Sequence, residues 1–306
     1  MEKQLEPAIA AMVADFIAAG RPKASHLSWQ ARREGYLASA LLGGEREEVG
    51  AIEEWQADHH AIRCYRPADK PDPAYPVLIY FHGGCFVSGD FETHDRQMRM
   101  LCNRASALIF AVHTRLAPEH TYPAAHDDAL AATRAIMAEV EKWHGDPARL
   151  AIAGDSAGGH LALVTTLRLK AANAPLPKAL LLLYPMLDAL CESQSYRDLG
   201  DDYLITRDML ASGFHAYLGS LPPSHPEASP LHHPVLSGLP PTHIVTAEYD
   251  PLRDEGEALY GKLVQAGVDA TCQRQHGVIH GYFQLAAISP AARQLIDQIA
   301  MMLRRL

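Results

Sequence analysis

Residues 154–158, with the sequence GDSAG, are the segment whose residue types most directly suggest chemistry. A short strand-forming run, 150–153, precedes them and a helix is predicted to follow, so Ser156 would stand on a sharp turn. The flanking glycines let strand and helix approach closely while the serine takes a strained conformation and exposes its hydroxyl. The pattern predicts Ser156 as a nucleophile, the alternative being an incidental serine in a glycine-rich turn. The amide of Ala157, at the helix start, favours a nearby negative charge.

A second candidate segment, residues 82–86 (HGGCF), directly follows a predicted strand over 77–81. Gly83 and Gly84 allow the backbone to turn its N–H groups outward, because no Cβ stands in the way. Such donors stabilise the negative oxygen of a tetrahedral intermediate. Alone, the segment could be a simple tight turn; beside a serine nucleophile it is expected to be an oxyanion loop. His82 could be a base by residue type, but its place after the strand favours a role in organising the loop.

A serine nucleophile needs an imidazole to accept its proton and a carboxylate to orient that imidazole. Asp250 follows the apolar run 244–247, at the C-terminal end of a predicted strand, where the sites of open parallel sheets lie. Asp254 and Glu255 are alternatives by residue type. They fall in the first turn of the next predicted helix, where their simpler role is to complement the helix dipole.

Two histidines, His276 and His280, compete for the role of base, since both follow the last predicted strand, 270–275. The chain has 17 histidines, so residue type alone does not choose between them. The adjacent His-His pairs at 59–60 and 232–233 could suggest a metal site. Neighbouring side chains on a strand point to opposite faces and chelate poorly, so no metal is predicted.

The scaffold that would position these residues is visible as an alternation of apolar, strand-like runs with helical patterns. Such an alternation indicates a mainly parallel sheet covered by helices on both faces. Besides a strand-like region over 51–66, the predicted strands are 77–81, 107–112, 150–153, 180–184, 244–247 and 270–275. The predicted helices are 5–19, 123–140, 156–170, 253–266 and 290–306.

One region, residues 190–225, interrupts this alternation. It contains no clean strand but does contain a helix-like piece over 207–218, so we predict an insertion above the sheet. The predicted catalytic domain is therefore 49–306 with 190–225 inserted into it, preceded by an N-terminal segment, 1–48.

Composition argues against several classes of function. The formal net charge of -9 disfavours binding to nucleic acid or anionic membranes. The five cysteines are odd in number and widely spaced, which favours free thiols over a disulfide framework. The N-terminus lacks a basic start followed by an apolar stretch, and no apolar run has transmembrane length. We therefore expect a cytoplasmic protein without a membrane partner.

Together these segments resemble the hormone-sensitive-lipase-like carboxylesterases, bacterial esterase family IV, in the subgroup with the GDSAG motif. The resemblance covers about residues 64–280. Beyond the two motifs above, it includes RLAPE at 115–119, YPAA at 122–125, YP at 184–185, DPLRDE at 250–255 and IHG at 279–281. It implies an α/β-hydrolase fold, with a mostly parallel central sheet, flanking helices and a small helical cap formed by 1–48 and 190–225.

The resemblance also implies roles for individual residues. The implied catalytic triad is Ser156, Asp250 and His280, and the implied oxyanion donors are the amides of Gly83, Gly84 and Ala157. His276 does not match the family's histidine. Asp155 matches the acidic residue of the subgroup and is expected to brace the neighbouring loop, the alternative being simple charge complementarity at the helix start.

The sequence departs from the family at Cys85, which stands where a third glycine is usual. Cys85 and Phe86 are expected to line the wall of the substrate pocket. For Cys85, a small buried hydrophobe is the simpler interpretation, and a reactive thiol beside the site is the alternative.

The expected activity is hydrolysis of short- to medium-chain esters of small molecules through an acyl-enzyme, without a cofactor. An amidase, lactonase or deacetylase would use the same residues. A non-catalytic small-molecule receptor on this scaffold is the alternative from another class, but such receptors lack the triad histidine, which is present here as His280. Relatives are often dimers, so a homodimer is an expectation from the resemblance alone.

Overall fold

The central element of the fold is an eight-stranded sheet, seen in a computed structural model that describes residues 4–20, 22–57, 59–69 and 74–306. Neighbouring strands follow the order β1-β2-β4-β3-β5-β6-β7-β8. Strand β2 runs antiparallel to β1 and β4, and every pairing from β4 to β8 is parallel. The strands are β1 (Ala51–Gln56), β2 (Ala61–Arg66), β3 (Tyr75–Phe81), β4 (Leu108–His113), β5 (Gly145–Asp155), β6 (Ala179–Leu183), β7 (Thr242–Tyr249) and β8 (Ala270–Ile279). The mostly parallel sheet expected from the sequence is thereby confirmed.

Helices cover both faces of the sheet, as the alternating pattern predicts. Over the described ranges the α-helices are α1 (Pro7–Ala18), α2 (Trp29–Ser39), α3 (Phe91–Ala105), α4 (Ala124–Glu139), α5 (Ala157–Ala171), α6 (Gln194–Leu199), α7 (Arg207–Leu218), α8 (Arg253–Gln265) and α9 (Pro290–Arg305). None of these helices is long and apolar enough to cross a lipid bilayer.

Strand β3 shows how the core is divided between the two faces. Every residue of β3 is buried, and successive side chains point to opposite faces. Ile79 and Phe81 join the apolar cluster that includes residues of α4, α5 and α8. Leu78 and Tyr80 join the other cluster, which includes residues of α3 and α9. The buried core therefore lies on both sides of the strands that carry the candidate site.

Three helices, α2, α3 and α6, were not among the sequence predictions. Helix α3 begins at a capping box, in which Asp90 Oδ1 accepts the Thr93 amide and Thr93 Oγ1 accepts the Asp90 amide. Polar residues such as His94 and Gln97 lie on its buried face and obscure the apolar periodicity. The strand-like region 51–66 is two antiparallel strands, β1 and β2, rather than one.

The two segments predicted as a cap carry helices that touch each other. Helices α1 and α2 come from the N-terminal segment, and α6 and α7 from residues 190–225. The Arg32 guanidinium on α2 donates a hydrogen bond of 2.7 Å to Ser212 Oγ on α7. The helix predicted over 207–218 is found there as α7.

Candidate active site

Ser156 lies between β5, which ends at Asp155, and α5, which begins at Ala157. Its φ of 54° is strained for a residue with a side chain. A Cβ at Gly158 would overlap the Phe81 carbonyl oxygen, so glycine is required where the helix passes β3. The Ser156 amide donates to the Leu183 carbonyl at 2.9 Å, which fixes the turn against β6.

The side chains of Ser156, Asp250 and His280 are far apart in the sequence but meet in the folded chain. His280 Nε2 lies 3.0 Å from Ser156 Oγ, and His280 Nδ1 lies 2.8 Å from Asp250 Oδ2. The second oxygen of Asp250 accepts the Leu252 amide at 2.8 Å, which fixes the carboxylate. Asp250 is fully buried, and Ser156 and His280 are 5% and 8% exposed. These contacts have the lengths that proton transfer from hydroxyl to imidazole requires.

The alternative acids and base lie elsewhere. Asp254 Oδ2 accepts the Ser195 amide at 2.8 Å, and Glu255 Oε1 accepts the Leu187 amide at 2.7 Å. Glu255 is buried, and burial raises its pKa well above the ordinary value. Both carboxyl groups lie in the first turn of α8, as expected, and each accepts a backbone amide from another segment. The side chain of His276 is 74% exposed and contacts Glu248.

Tyr184 packs against the triad although the sequence analysis gave it no role. Its ring meets the His280 imidazole edge to face at a centroid distance of 4.8 Å. The residue is fully buried and has a φ of 35°. Its position in the YP pair at the end of β6 is the sequence signal that could have drawn attention to it.

Asp155 holds the loop that follows β3. Its Oδ1 accepts the Gly83 amide at 2.9 Å and the Tyr80 hydroxyl at 2.8 Å, and lies 3.1 Å from His94 Nε2. Burial opposes ionisation of Asp155, but His94, Tyr80 and Gly83 outweigh it and lower the pKa of the carboxyl. These contacts are those of a bracing residue.

The bond to Asp155 corrects the role expected for Gly83. Its N–H already donates to a buried carboxylate, so it is not available to an oxyanion. The amides of Gly84, Cys85 and Ala157 have no acceptor among the residues that the structure describes. The sequence analysis did not assign the Cys85 amide, because the family motif directs attention to the glycines.

His82 lies beside the loop rather than in the triad. Its Nδ1 is 2.8 Å from the Gly83 carbonyl oxygen, and its Nε2 is 3.2 Å from His113 Nδ1. Burial, followed by the neighbouring His113 and His94, lowers the pKa of His82 to about 3. So weak a base is unsuited to accept the serine proton at neutral pH.

Cys85 and Phe86 are buried where the loop meets α7. Cys85 Sγ lies 3.7 Å from the Leu210 carbonyl oxygen and 3.9 Å from Met186 Sδ. Burial raises the pKa of the Cys85 thiol to about 12. Phe86 stacks on Tyr217 at a centroid distance of 4.0 Å. Each of the two residues thus has a contact with α7, through Leu210 and Tyr217, which the sequence analysis did not foresee.

Comparison with known proteins gives one consistent result. Residues 78–284 match a family model described as alpha/beta hydrolase fold. The chain is 38% identical to esterase LipI of Mycobacterium tuberculosis over 79% of this chain and 77% of the relative. It is 35% identical to ethyl acetate hydrolase of Pseudomonas putida, over 85% and 84%.

Solved structures agree with these relatives. The hyperthermophilic esterase from Pyrobaculum calidifontis superimposes with a TM-score of 0.92 at 33% identity, covering 99% of this chain and 98% of that one. An ester hydrolase from the metagenome of Lake Arreo, complexed with a bipyridine phosphonate derivative, gives 0.92 at 34% identity, covering 99% of both chains. This chain is a carboxylic ester hydrolase with the α/β-hydrolase fold, and it belongs to the hormone-sensitive-lipase-like carboxylesterase family.

Proposed function

We propose that Ser156, His280 and Asp250 hydrolyse esters of short- to medium-chain acids through an acyl-enzyme. The observation that carries this proposal is the pair of contacts from His280, 3.0 Å to Ser156 Oγ and 2.8 Å to Asp250 Oδ2. An imidazole held between a hydroxyl and a buried carboxylate can accept the hydroxyl proton, and the carboxylate fixes its tautomer and stabilises its charged form.

The reaction has two steps, and its protons balance. In the first step, Ser156 Oγ attacks the ester carbonyl carbon while His280 takes the hydroxyl proton. The tetrahedral intermediate then expels the alcohol, which receives that proton from His280. In the second step, water attacks the acyl-enzyme, His280 takes its proton and returns it to Ser156, and the carboxylic acid is released.

The oxyanion of each tetrahedral intermediate is assigned to the amides of Gly84, Cys85 and Ala157. Their lack of an acceptor among the described residues supports this choice. Ala157 also opens α5, so its amide belongs to the positive end of a helix. Gly83 serves indirectly, since its bond to Asp155 fixes the base of the loop.

A cap built from residues 1–48 and 190–225 would cover this site and shape a pocket for a small ester. The near-complete burial of Ser156 and His280 supports a covered site. The Arg32 to Ser212 bond, which joins the two segments, supports their action as one unit. Exclusion of water by such a cap strengthens the electrostatic interactions inside. Short to medium acyl chains are the expectation from the resemblance.

The test is hydrolysis of a p-nitrophenyl ester series of increasing acyl length by the wild type and by Ser156→Ala. We expect activity on short chains and a loss of at least about a thousandfold in kcat for Ser156→Ala, because the nucleophile is removed. The exposed Ser224→Ala is the matched control and should keep wild-type rates. Hydrolysis retained by Ser156→Ala would mean that another residue is the nucleophile.

A parallel panel of amides, lactones and acetylated substrates separates the alternative acyl-transfer activities, which would use the same residues. Turnover of any ester excludes the receptor alternative. The homodimer and the cytoplasmic location stay predictions, which gel filtration and cell fractionation test.

A further inference from the structure

The oxyanion loop has an unfavourable backbone conformation where it meets α7. Cys85 and Phe86 have φ values of 58° and 63°, in the left-handed region that disfavours residues with a Cβ. Two such residues in succession persist only when the surrounding structure holds them. Both are at most 4% exposed, so their neighbours are well defined.

Gly213, in the middle of α7, makes room for the Cys85 side chain. A Cβ at Gly213 would overlap Cys85 Sγ and would lie 2.9 Å from the Cys85 carbonyl oxygen. Glycine within a helix is unfavourable relative to alanine. The space that Cys85 occupies gives a physical reason for glycine here. Cys85 and Gly213 therefore form a matched pair, with the side chain of the loop residue seated in a notch of the helix.

The same face of α7 holds the next loop residue. Tyr217 lies four residues after Gly213, so the two share a helix face. Its ring stacks on Phe86 with an interplanar angle of 11°. The following residue, Val87, is held by α2, since Arg33 Nε donates to its carbonyl oxygen at 2.8 Å. Helices from both predicted cap segments thus fix three successive loop residues.

We propose that Gly213 and Tyr217 are positioning residues, through which α7 holds the amides of Gly84 and Cys85 where the oxyanion forms. The packing of this helix against the loop then affects the rate of acyl transfer, although both residues are buried in the protein. This inference rests on the proposed oxyanion donors. It concerns the transition state, so it predicts an effect on kcat more than on KM.

The test measures the effect of Gly213→Ala in two backgrounds, the wild type and Cys85→Gly. In the wild type, the new Cβ must displace Cys85, and we expect kcat per titrated active site to fall at least about tenfold, with a smaller change in KM. In the Cys85→Gly background the clash with Sγ is removed and only the close approach to the carbonyl oxygen of residue 85 remains, so the loss should be clearly smaller than in the wild type. Gly261→Ala is the matched control, because Gly261 lies within α8 and a Cβ there meets nothing within 4 Å. Equal losses in the two backgrounds, or no loss in either, would overturn the proposal.

Denaturant unfolding separates this inference from the proposed function. It is measured on the wild type, Gly213→Ala, Cys85→Gly and Cys85→Gly/Gly213→Ala. The substitution Gly213→Ala should lower the denaturant concentration at the unfolding midpoint more in the wild type than in Cys85→Gly. This expectation holds whether or not any ester is hydrolysed. Failure of the wild type to hydrolyse any ester would contradict the proposed function, whereas the unfolding comparison tests the steric pair itself. If Gly213→Ala does not fold, a folded Cys85→Gly/Gly213→Ala protein supports the pairing, and an unfolded one contradicts it.

Discussion

Nε2 of His94 lies 3.1 Å from Oδ1 of Asp155, the oxygen that also accepts the amide of Gly83. His94 is on α3, whereas Asp155 adjoins Ser156, the proposed nucleophile, and Gly83 lies in the loop that follows β3. All three groups are buried or nearly so. His94 on α3 is thus linked, through one carboxylate oxygen of Asp155, to the loop proposed to bind the oxyanion.

His94→Phe should lower kcat by about tenfold, because Asp155 loses a donor and binds the Gly83 amide in a less fixed geometry. His94→Gln, which can still donate to Asp155, should retain more activity. Steady-state kinetics of both variants, with the exposed His120→Gln as control, checks this expectation. Equal losses in the Gln and Phe variants would show that the hydrogen bond is not what matters.

Asp250→Asn should lower kcat by about three to four orders of magnitude, since the amide favours the wrong imidazole tautomer and cannot stabilise the imidazolium. Asp254→Asn is the matched comparison, because Asp254 binds the Ser195 amide and an asparagine oxygen can still accept that bond. Its kcat should stay within about tenfold of the wild type. The assignment of the acid fails if the two variants behave in the opposite order.

The native enzyme should keep its activity in iodoacetamide at pH 8. Burial raises the pKa of Cys85 to about 12 and that of Cys272, the least buried cysteine, to about 11. Only about one Cys85 thiol in ten thousand is then a thiolate at pH 8, and the thiolate is the reactive form. Mass spectrometry of native and denatured protein checks this, with five labels expected only after denaturation. Rapid loss of activity with one label at Cys85 would support the reactive-thiol interpretation instead.

Protonation of His160 should destabilise the protein in mild acid. Burial lowers the pKa of His160 to about 4, whereas an unfolded histidine has a pKa of about 6.5. The unfolded state therefore binds the proton first, so stability is full above about pH 6.5 and falls as the pH decreases towards about 4.

The free energy of unfolding should fall by about 2 kcal/mol more between pH 7 and 5 in the wild type than in His160→Gln. Urea unfolding at the two pH values measures this difference. His120→Gln, at an exposed position, should behave like the wild type. Parallel pH dependence in the wild type and His160→Gln would contradict the assignment.

The elbow at Ser156 could be predicted because its signal is local. Strand, glycine, serine, glycine and helix follow one another within a few residues, and each has its own steric reason. Helix α7 was predictable for the same reason, since its periodicity lies within 207–218. The proposed acid and base could not be identified from one local motif. Asp250 was identified by its place after a strand, and the choice of His280 over His276 depended on the family resemblance.

What could not be predicted depends on contacts between distant segments. The Gly83 amide is occupied by a carboxylate 72 residues further along the chain, and no local pattern encodes that bond. The buried face of α3 carries Thr93 and His94, which hydrogen-bond to each other, and His94 also faces Asp155 outside the helix, so the apolar periodicity was weak. The need for glycine at position 213 arises from the packing of α7 against Cys85, which no local sequence pattern encodes.

His280 follows β8, an edge strand and the last in chain order among those described, whereas Ser156 follows β5 near the middle of the sheet. These two residues are separated by 124 positions in the sequence. A chain in which β8 is not yet paired with β7 therefore lacks the proposed base beside the proposed nucleophile. Hydrolysis through the proposed triad requires this non-local pairing, so the first turnover in a refolding experiment should not precede the docking of β8 on β7.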